Sequence, residues 1–245
     1  MISVSIVSHG HDEMVNELIL QLLVYPEIEQ IVLTYNIPES VTPPSHAKLD
    51  IIKNGLPAGF GANHNAAFQR CTQPFFCVMN PDISLPENPF PSLLSSLESH
   101  DTALSAPLVL APDGRLEDSI RHFPTPHTIL FKVIFGVDDH YQVALGDQQF
   151  YPEWVAGMCM LFDSAMFRKV DGFDASFFLY YEDVDICTRL WKSGFKVVAC
   201  PSTYVVHAAR RESHRSLSFL RWHICSMARY FFKHFGRLPK THRVI

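Results

Sequence analysis

Three stretches of this chain hold side chains able to grip a cation and to move a proton. The first, Asn80-Pro81-Asp82, follows the apolar run Phe75-Phe76-Cys77-Val78-Met79. A buried strand that stops at a proline leaves the next carboxylate at the carboxyl edge of a sheet, where α/β folds bind their ligands. The second, Tyr180-Tyr181-Glu182-Asp183-Val184-Asp185, places acids in the first turn of a helix just after an aromatic run. The third, Val206-His207, puts an imidazole at the end of a last strand. A transfer reaction that expels a diphosphate needs a cation to neutralise the leaving group and a carboxylate to take the proton of an attacking hydroxyl. Asp82 and His207 suit the first task, Asp183 the second. Each also has a plain structural reading: Asn-Pro-Asp as a turn, Asp183 as an acid that favours a helix N-terminus, His207 as an edge histidine. Asp185 lies off the helix face of Asp183 and has Arg189 at i+4 as a partner, so both stay outside the reactive set.

Positioning these groups falls to a pattern of alternating strands and helices. Val4 to Ser8 reads as a strand, Asp12 as the cap of a helix with Met14, Val15, Leu18, Ile19, Leu22 and Leu23 at helical spacing, and Ile31-Val32-Leu33 and Leu49 to Ile52 as further strands. Strand, helix, strand in that order predicts a βαβ unit with a parallel sheet. Asn54 to Asn65 is a Gly- and Asn-rich loop running into a helix over Ala66 to Cys71, a form that brings backbone N–H groups to an anion. Leu93 to Leu97 reads as helix and Ala103 to Leu110 as strand. Residues 112–152 show weak periodicity, and such a long aromatic-bearing excursion suits a binding loop. Trp154 to Phe162 reads as one buried strand with a close backbone approach at Gly157. Glu182 to Lys192 is a helix stopped by Gly194, and Phe195 to Cys200 and Thr203 to Val206 are the last strands. The tail carries Leu217, Leu220, Ile224, Met227 and Phe231 at helical spacing, which predicts a terminal helix packing that stripe on the body, with a membrane-surface helix as the alternative.

Composition sets the limits. A chain of 245 residues, 47% hydrophobic and 18% charged, suits one large α/β domain. Met1 to Ser8 lacks the basic start of a signal sequence, and no run of about 20 apolar residues is present to span a membrane. Both observations predict a cytoplasmic protein. Six cysteines without a C-x-x-C pair argue against zinc and against a disulfide framework. From Ala208 onward nine Lys or Arg stand against one Glu, a balance of +8 that leaves −13 of the total −5 on residues 1–207. A basic tail on an acidic body suits a polyanion: a phospholipid surface, a diphosphate or nucleic acid.

Taken in order, Ser3-Val4-Ser5-Ile6-Val7, Gly59-Phe60-Gly61-Ala62-Asn63-His64-Asn65, Met79-Asn80-Pro81-Asp82, Trp154-Val155-Ala156-Gly157, Gly172-Phe173-Asp174, Phe177 to Arg189 and Val206-His207 resemble the family 2 glycosyltransferases, most closely the bacterial rhamnosyltransferase-like branch. The resemblance runs from about Ile2 to His207. It implies a GT-A fold, a Rossmann-like mostly parallel sheet flanked by helices, over residues 1–207, with a nucleotide-sugar half (1–110), an acceptor half (111–207) and a basic helical extension (208–245). It implies a metal-dependent, inverting enzyme with a divalent Mg or Mn ion and a dTDP-, UDP- or GDP-sugar donor. The acceptor it implies is a saccharide or lipid-linked saccharide of cell-surface polysaccharide synthesis. Nucleic acid is then no partner, and the basic tail becomes a candidate for peripheral contact with the inner face of the cell membrane.

Carried over residue by residue, the resemblance makes Asp82 the metal-contacting acid of a D-x-D motif in which Asn80 replaces the first acid. His207 becomes the second metal ligand, Asp183 the catalytic base, and Glu182 the residue that orients the acceptor or the base. Ser8, Asn36, Asn54, Gly61, Asn65, Asn80 and Asp82 become donor contacts; Trp154 and Gly157 become acceptor contacts. Two departures stand out. Leu33-Thr34-Tyr35-Asn36 replaces the usual Val-Asp-Asn whose Asp touches the nucleobase, and Phe162-Asp163 stands where a basic pair often follows the Trp-x-x-Gly strand. A sugar-phosphate nucleotidyltransferase is the enzymatic alternative, although Ser8-His9-Gly10-His11 offers no Arg or Lys for a triphosphate; a catalytically silent nucleotide-sugar or glycan-binding module is the other.

Overall fold

The computed structural model describes residues 1–136, 141–208, 217–239 and 241. Its first half alternates as β1 (Ile2–Ser8), α1 (Glu13–Leu23), β2 (Ile28–Tyr35), β3 (Leu49–Lys53), α2 (Phe60–Phe68), β4 (Phe75–Met79), β5 (Ile83–Ser84), α3 (Phe90–Ser95) and β6 (Thr102–Leu110). The second half follows with β7 (Ile120–Arg121), α4 (Pro126–Phe135), β8 (Trp154–Val155), β9 (Cys159–Asp163), α5 (Ser164–Lys169), α6 (Glu182–Lys192), β10 (Lys196–His207) and α7 (Leu217–His234).

Eight strands form one sheet in the order β3-β2-β1-β4-β9-β6-β10-β5. β1 runs parallel to β2 and β4, β2 to β3 and β10 to β6, while β9 lies antiparallel between β4 and β6. Parallel strands have both faces covered, which explains why β1 buries Ile2, Val4 and Ile6 and also Ser3 and Ser5. One face packs on α1 through Val15, Leu18, Ile19 and Leu22; the other holds an aromatic core that includes Phe68, Phe76, Phe162, Phe167, Phe173 and Phe177. The mostly parallel α/β fold read from the alternation is the one observed.

Several local expectations change. Asp12 does not cap α1 with its side chain: its backbone turns to φ 45°, and its N–H donates to Glu39 Oε2 at 3.2 Å. The Gly- and Asn-rich stretch is a loop only over residues 54–59, and α2 begins at Phe60, six residues earlier than Ala66. Its glycines permit contact with the aromatic segment ahead of α6, since a Cβ at Gly59 would lie 2.6 Å from Phe178 O and one at Gly61 2.6 Å from Phe173 Cβ. Phe60 N–H donates to Phe178 O at 2.9 Å and is not offered to an anion. The last two strands are one, β10, with a register shift between Cys200 and Tyr204. The run from Trp154 to Phe162 breaks into β8, which pairs with β7 in a separate two-stranded ladder, and β9 of the main sheet, with Ala156, Gly157 and Met158 as the crossing between them.

Helix α7 docks through only part of the stripe the spacing suggested: Phe231 packs against the core, but most of the contact comes from another row. Trp222 stacks near Phe178 at 4.8 Å, Ser226 Oγ donates to Leu179 O at 2.8 Å, Tyr230 OH lies 3.0 Å from Thr188 Oγ1, and His234 Nε2 lies 2.8 Å from Asp185 Oδ1. These residues recur at i+4, and Leu220 and Ile224 are left outward. Buried hydrogen bonding, which hydrophobic spacing cannot reveal, selects the face.

Candidate active site

β4 ends at Met79, and Asn80 N–H donates to Met158 O at 2.9 Å, so Asp82 is held where the sheet stops. β10 closes on it from the far edge: His207 pairs with Ile83, and Ala208 N–H donates to Asp82 O at 2.9 Å. That pairing sets His207 Nε2 3.2 Å from Asp82 Oδ2. The other ring nitrogen, Nδ1, lies 2.8 Å from Glu117 Oε2. A carboxylate on one nitrogen fixes the ring and leaves the other aimed at the ligand, the arrangement common behind metal-bound histidines.

Burial alone would raise the Asp82 carboxyl, but its hydrogen bond and charge pairing with His207 outweigh it and hold the group below the ordinary aspartate value. His207 is likewise lowered by burial and, more strongly, raised by Asp82 and Glu117. Asp82 Oδ1 is buried without a hydrogen-bond partner among the described residues. A hard divalent cation takes oxygen and imidazole donors of this kind, so Asp82 and His207 fit the expected ion, although no cluster of three or more His, Cys, Asp or Glu side chains stands ready for one among the described residues.

The second corner sits on α6. Tyr180 and Tyr181 both take positive φ, 69° and 67°, a left-handed pair that costs roughly 1–3 kcal/mol per residue and turns the chain sharply into the helix. Glu182 and Asp183 are thereby placed in its first turn. Asp183 Oδ1 accepts from Val184 N–H at 2.8 Å and Oδ2 from Gly157 N–H at 3.1 Å. Burial raises the Asp183 carboxyl, and these N–H groups only partly oppose it. Glu182 is raised further, by burial first and by the Asp183 charge second, and its Oε2 is buried without a partner among the described residues. Burial and mutual repulsion thus make both carboxyls of the pair hold their protons more tightly than ordinary acids, Glu182 more so than Asp183.

The break between β8 and β9 joins the corners. Within two consecutive residues, Gly157 N–H holds Asp183 and Met158 C=O holds Asn80, two residues before Asp82. Gly157 is the close approach that its position in the run suggested: an added Cβ would lie 3.1 Å from Phe60 Cζ and 3.7 Å from Asp183 Cβ. Beside Asp183 opens a cavity of about 530 Å³ lined by Arg121, Trp154, Tyr181, Glu182, Asp183 and His223, among others. Trp154 is mostly buried, donates Nε1–H to His122 O at 2.8 Å, and carries the Arg121 guanidinium 5.7 Å from its ring centre.

On the opposite side of the sheet centre, Asn36, Asn54 and Asn63 form an amide cluster. Asn54 Nδ2 donates to Asn36 Oδ1 at 2.9 Å and to Asn63 Oδ1 at 2.7 Å, and Asn36 brackets Ala58 through its N–H and C=O. Asn54 also lines a cavity of about 600 Å³ under the connection from β2 to β3. Ser8 ends β1 with its Oγ buried and unpartnered among the described residues. Asn65 is placed apart from this group: its side chain donates to Phe173 O at 2.7 Å and accepts from Phe173 N–H at 2.9 Å, so both ends are engaged in holding α2 to the aromatic segment. Gly61 serves the same contact.

Three residues of the site escaped the sequence reading. Glu117 and Arg121 lie in the stretch with weak periodicity, where no spacing marks them; Arg121 acts on Asp183, favouring its charged form. His11 lies close enough to Asp82 to favour its charge as well, and the Ser8-His9-Gly10-His11 turn was its only signal.

Comparison with known proteins agrees with this geometry. The family model described as glycosyl transferase family group 2 matches residues 78–231, which include Asp82, Asp183 and His207. The rhamnosyltransferase WbbL of Escherichia coli (strain K12) is 28% identical over 94% of this chain and 92% of its own length. An N-acetylglucosaminyl-diphospho-decaprenol L-rhamnosyltransferase of Mycobacterium tuberculosis is 31% identical over 53% of this chain, which spans 45% of that protein. Among solved structures, GalNAc-T7 with UDP, GalNAc and Mn2+ superposes with a TM-score of 0.66 at 14% identity, over 86% of this chain and 44% of that one. The fold is thus of the GT-A type, and the chain is a glycosyltransferase that belongs to glycosyl transferase family group 2.

Proposed function

We propose that the chain moves a rhamnosyl group from a nucleotide-diphosphate donor to a hydroxyl of a saccharide or lipid-linked saccharide, in a single inverting displacement. The observation that supports this reading is the pair of bonds made by Gly157 N–H and Met158 C=O, which sets Asp82, one oxygen of which has no partner among the described residues, and the base Asp183 on either side of one short segment. The rhamnosyl group and the lipid-linked acceptor are supported by the names of the two bacterial relatives.

In this reading the acceptor enters the cavity lined by Trp154, Tyr181 and Asp183. Asp183, whose raised carboxyl is a stronger base than an ordinary aspartate, takes the hydroxyl proton as the acceptor oxygen bonds to the anomeric carbon and the bond to the diphosphate breaks. Two backbone N–H groups keep the carboxylate aimed while the proton moves. Glu182, whose carboxyl holds its proton more tightly than an ordinary glutamate, orients the acceptor, donating an O–H where it keeps that proton. Asp82 and His207 would hold Mg or Mn, which when bound offsets the charge on the leaving diphosphate. Ser8 and the Asn36–Asn54 cluster receive the nucleoside. The basic C-terminal segment brings the chain to the surface where a lipid-linked acceptor lies.

Thermal-shift screening against dTDP-, UDP- and GDP-sugars with Mn or Mg, followed by product analysis with a saccharide acceptor, tests the proposal. A metal-dependent shift with one nucleotide and a product of inverted anomeric configuration are expected. Transfer undiminished by EDTA, or retention of configuration, would overturn it.

A further inference from the structure

Two helices beside the acceptor cavity turn large apolar side chains to solvent. On α4, Leu130, Phe131, Ile134 and Phe135 are 56%, 55%, 59% and 64% exposed. At i, i+1, i+4 and i+5 they share one face. This helix does not owe its form to burying that face. Thr125 and Thr128 make a reciprocal capping box, Pro126 opens the first turn, and Gly136 closes the helix at φ 66°. On α7, the face left outward by docking shows Leu220 and Ile224, with Phe232 at 91% and, just past the helix, Phe235 at 77%. Single exposed apolar residues are ordinary, but a grouped set marks an interaction surface.

Helix α7 and the segment leading into α4 both reach the cavity. Pro124, two residues before α4, lines it together with Leu220 and His223 of α7. Lys132 of α4 is near enough to His223 to disfavour protonation of that ring, an effect second to burial. Neither helix contains an Asp or Glu, whereas they carry Lys132, Arg221, Arg229 and Lys233. Lys233 is engaged with Asp174 and Asp185, each within 2.7 Å. Exposed apolar and basic side chains on two acid-free helices, one of which lines the cavity through Leu220, match the boundary layer of an anionic bilayer. A twofold contact between copies through this face would set its cations against themselves.

We propose that α4 and the outward edge of α7 form one membrane-seating face for an anionic phospholipid surface, with Phe131 and Phe135 at the headgroup boundary and the acceptor cavity opening towards the lipid. The purpose of such a face rests on the reading of a lipid-linked acceptor; its existence is tested separately. The full chain is sedimented with vesicles of phosphatidylethanolamine and phosphatidylglycerol, and with vesicles of phosphatidylcholine alone. Binding to the anionic vesicles that weakens with salt is expected. The combined variant Leu130→Ser, Phe131→Ser, Ile134→Ser, Phe135→Ser should lose about tenfold or more of that binding while melting as the parent does, since all four side chains already face water. Lys132→Gln with Arg221→Gln and Arg229→Gln should weaken binding about fivefold per charge on the anionic vesicles only.

Parent protein that stays in the supernatant, or a four-serine variant that sediments as the parent does, overturns the proposal. So does a concentration-dependent dimer by light scattering that the serine variant abolishes in the absence of vesicle binding. Because the donor screen uses lipid-free protein, loss of vesicle binding with an intact donor response removes the face and spares the catalytic reading, and the opposite pattern does the reverse.

Discussion

Two neighbouring regions of this molecule treat buried acids in opposite ways. At the junction of α6 and α7, Asp185 is fully buried and meets Arg189 Nε at 2.7 Å, Lys233 Nζ at 2.7 Å and His234 Nε2 at 2.8 Å. Burial would raise it, yet His234, Arg189 and Lys233 together hold it below the ordinary aspartate value. Two residues away, Asp183 accepts hydrogen bonds from the backbone N–H groups of Val184 and Gly157, with Arg121 acting on it by charge, and Glu182 keeps one oxygen without a partner among the described residues, as does Asp82. Burial wins in the α6 pair and raises both groups. A charge matched on every side is an anchor; a charge left incomplete inside a cleft is available to a substrate, an ion or a proton.

That contrast breaks most visibly at Asp183. Asp183→Asn keeps the shape and removes the base, so kcat should fall by about 10²–10⁴-fold with donor affinity little changed. Transfer assays paired with donor titration check this, and a fully active variant would remove Asp183 from the role. Asp185→Asn should do the reverse. Losing the buried carboxylate leaves Arg189 without its counter-ion and Lys233 with Asp174 alone, a change worth about 3 kcal/mol after allowing for the partial exposure of both cations. Urea denaturation should show that loss, with kcat of the folded fraction close to the parent. Because the folded carboxyl of Asp185 lies below its ordinary value, its contribution is present above pH 3.8 and fades as pH falls through the folded value. The stability gap between parent and variant should therefore close in acid.

Glu117 tests the contrast at the metal corner. It touches no proposed substrate but orients His207 at 2.8 Å. Glu117→Gln should weaken Mn affinity by about 10–100-fold, read as a shifted midpoint in Mn-dependent thermal stabilisation. A merely structural role would lower the melting temperature equally with and without Mn.

How much of this was visible in the sequence depends on what carries the information. The sheet was, because the apolar runs at Val4, Ile31 and Phe76 and the intervening helical spacing are local. Asp82, Asp183 and His207 were, because strand ends and a helix start announce themselves in neighbouring residues. Glu117 and Arg121 were not: each acquires its role from a partner distant in sequence, His207 or Asp183, and no periodicity surrounds them. The docked face of α7 was hidden for a related reason. Ser226 and His234 are buried by hydrogen bonds to Leu179 and Asp185, so a pattern read from apolar residues finds Phe231 but misses most of the docked face. The glycines of α2 misled differently, since close approach to Phe178 and Phe173 and close approach to an anion demand the same small residue.

The smallest effect sharpens the comparison inside the α6 pair itself. Both carboxyls are raised, but only one can lose its proton easily, because the charge on Asp183 disfavours a second charge on Glu182. If Glu182 works as a neutral group, glutamine reproduces its shape and its neutrality and supplies N–H donors in place of the O–H. Glu182→Gln should then alter kcat/KM by no more than about threefold, whereas Glu182→Ala, which removes the donor and leaves a hole of side-chain size, should cost about tenfold or more. The pH profile separates this from chance tolerance. With the proton-sharing neighbour gone, the acid limb of kcat should become a single titration belonging to Asp183, lying above the 3.8 of an ordinary aspartate. A large loss in the glutamine variant would mean that Glu182 acts as a carboxylate, and that the two acids exchange roles during turnover.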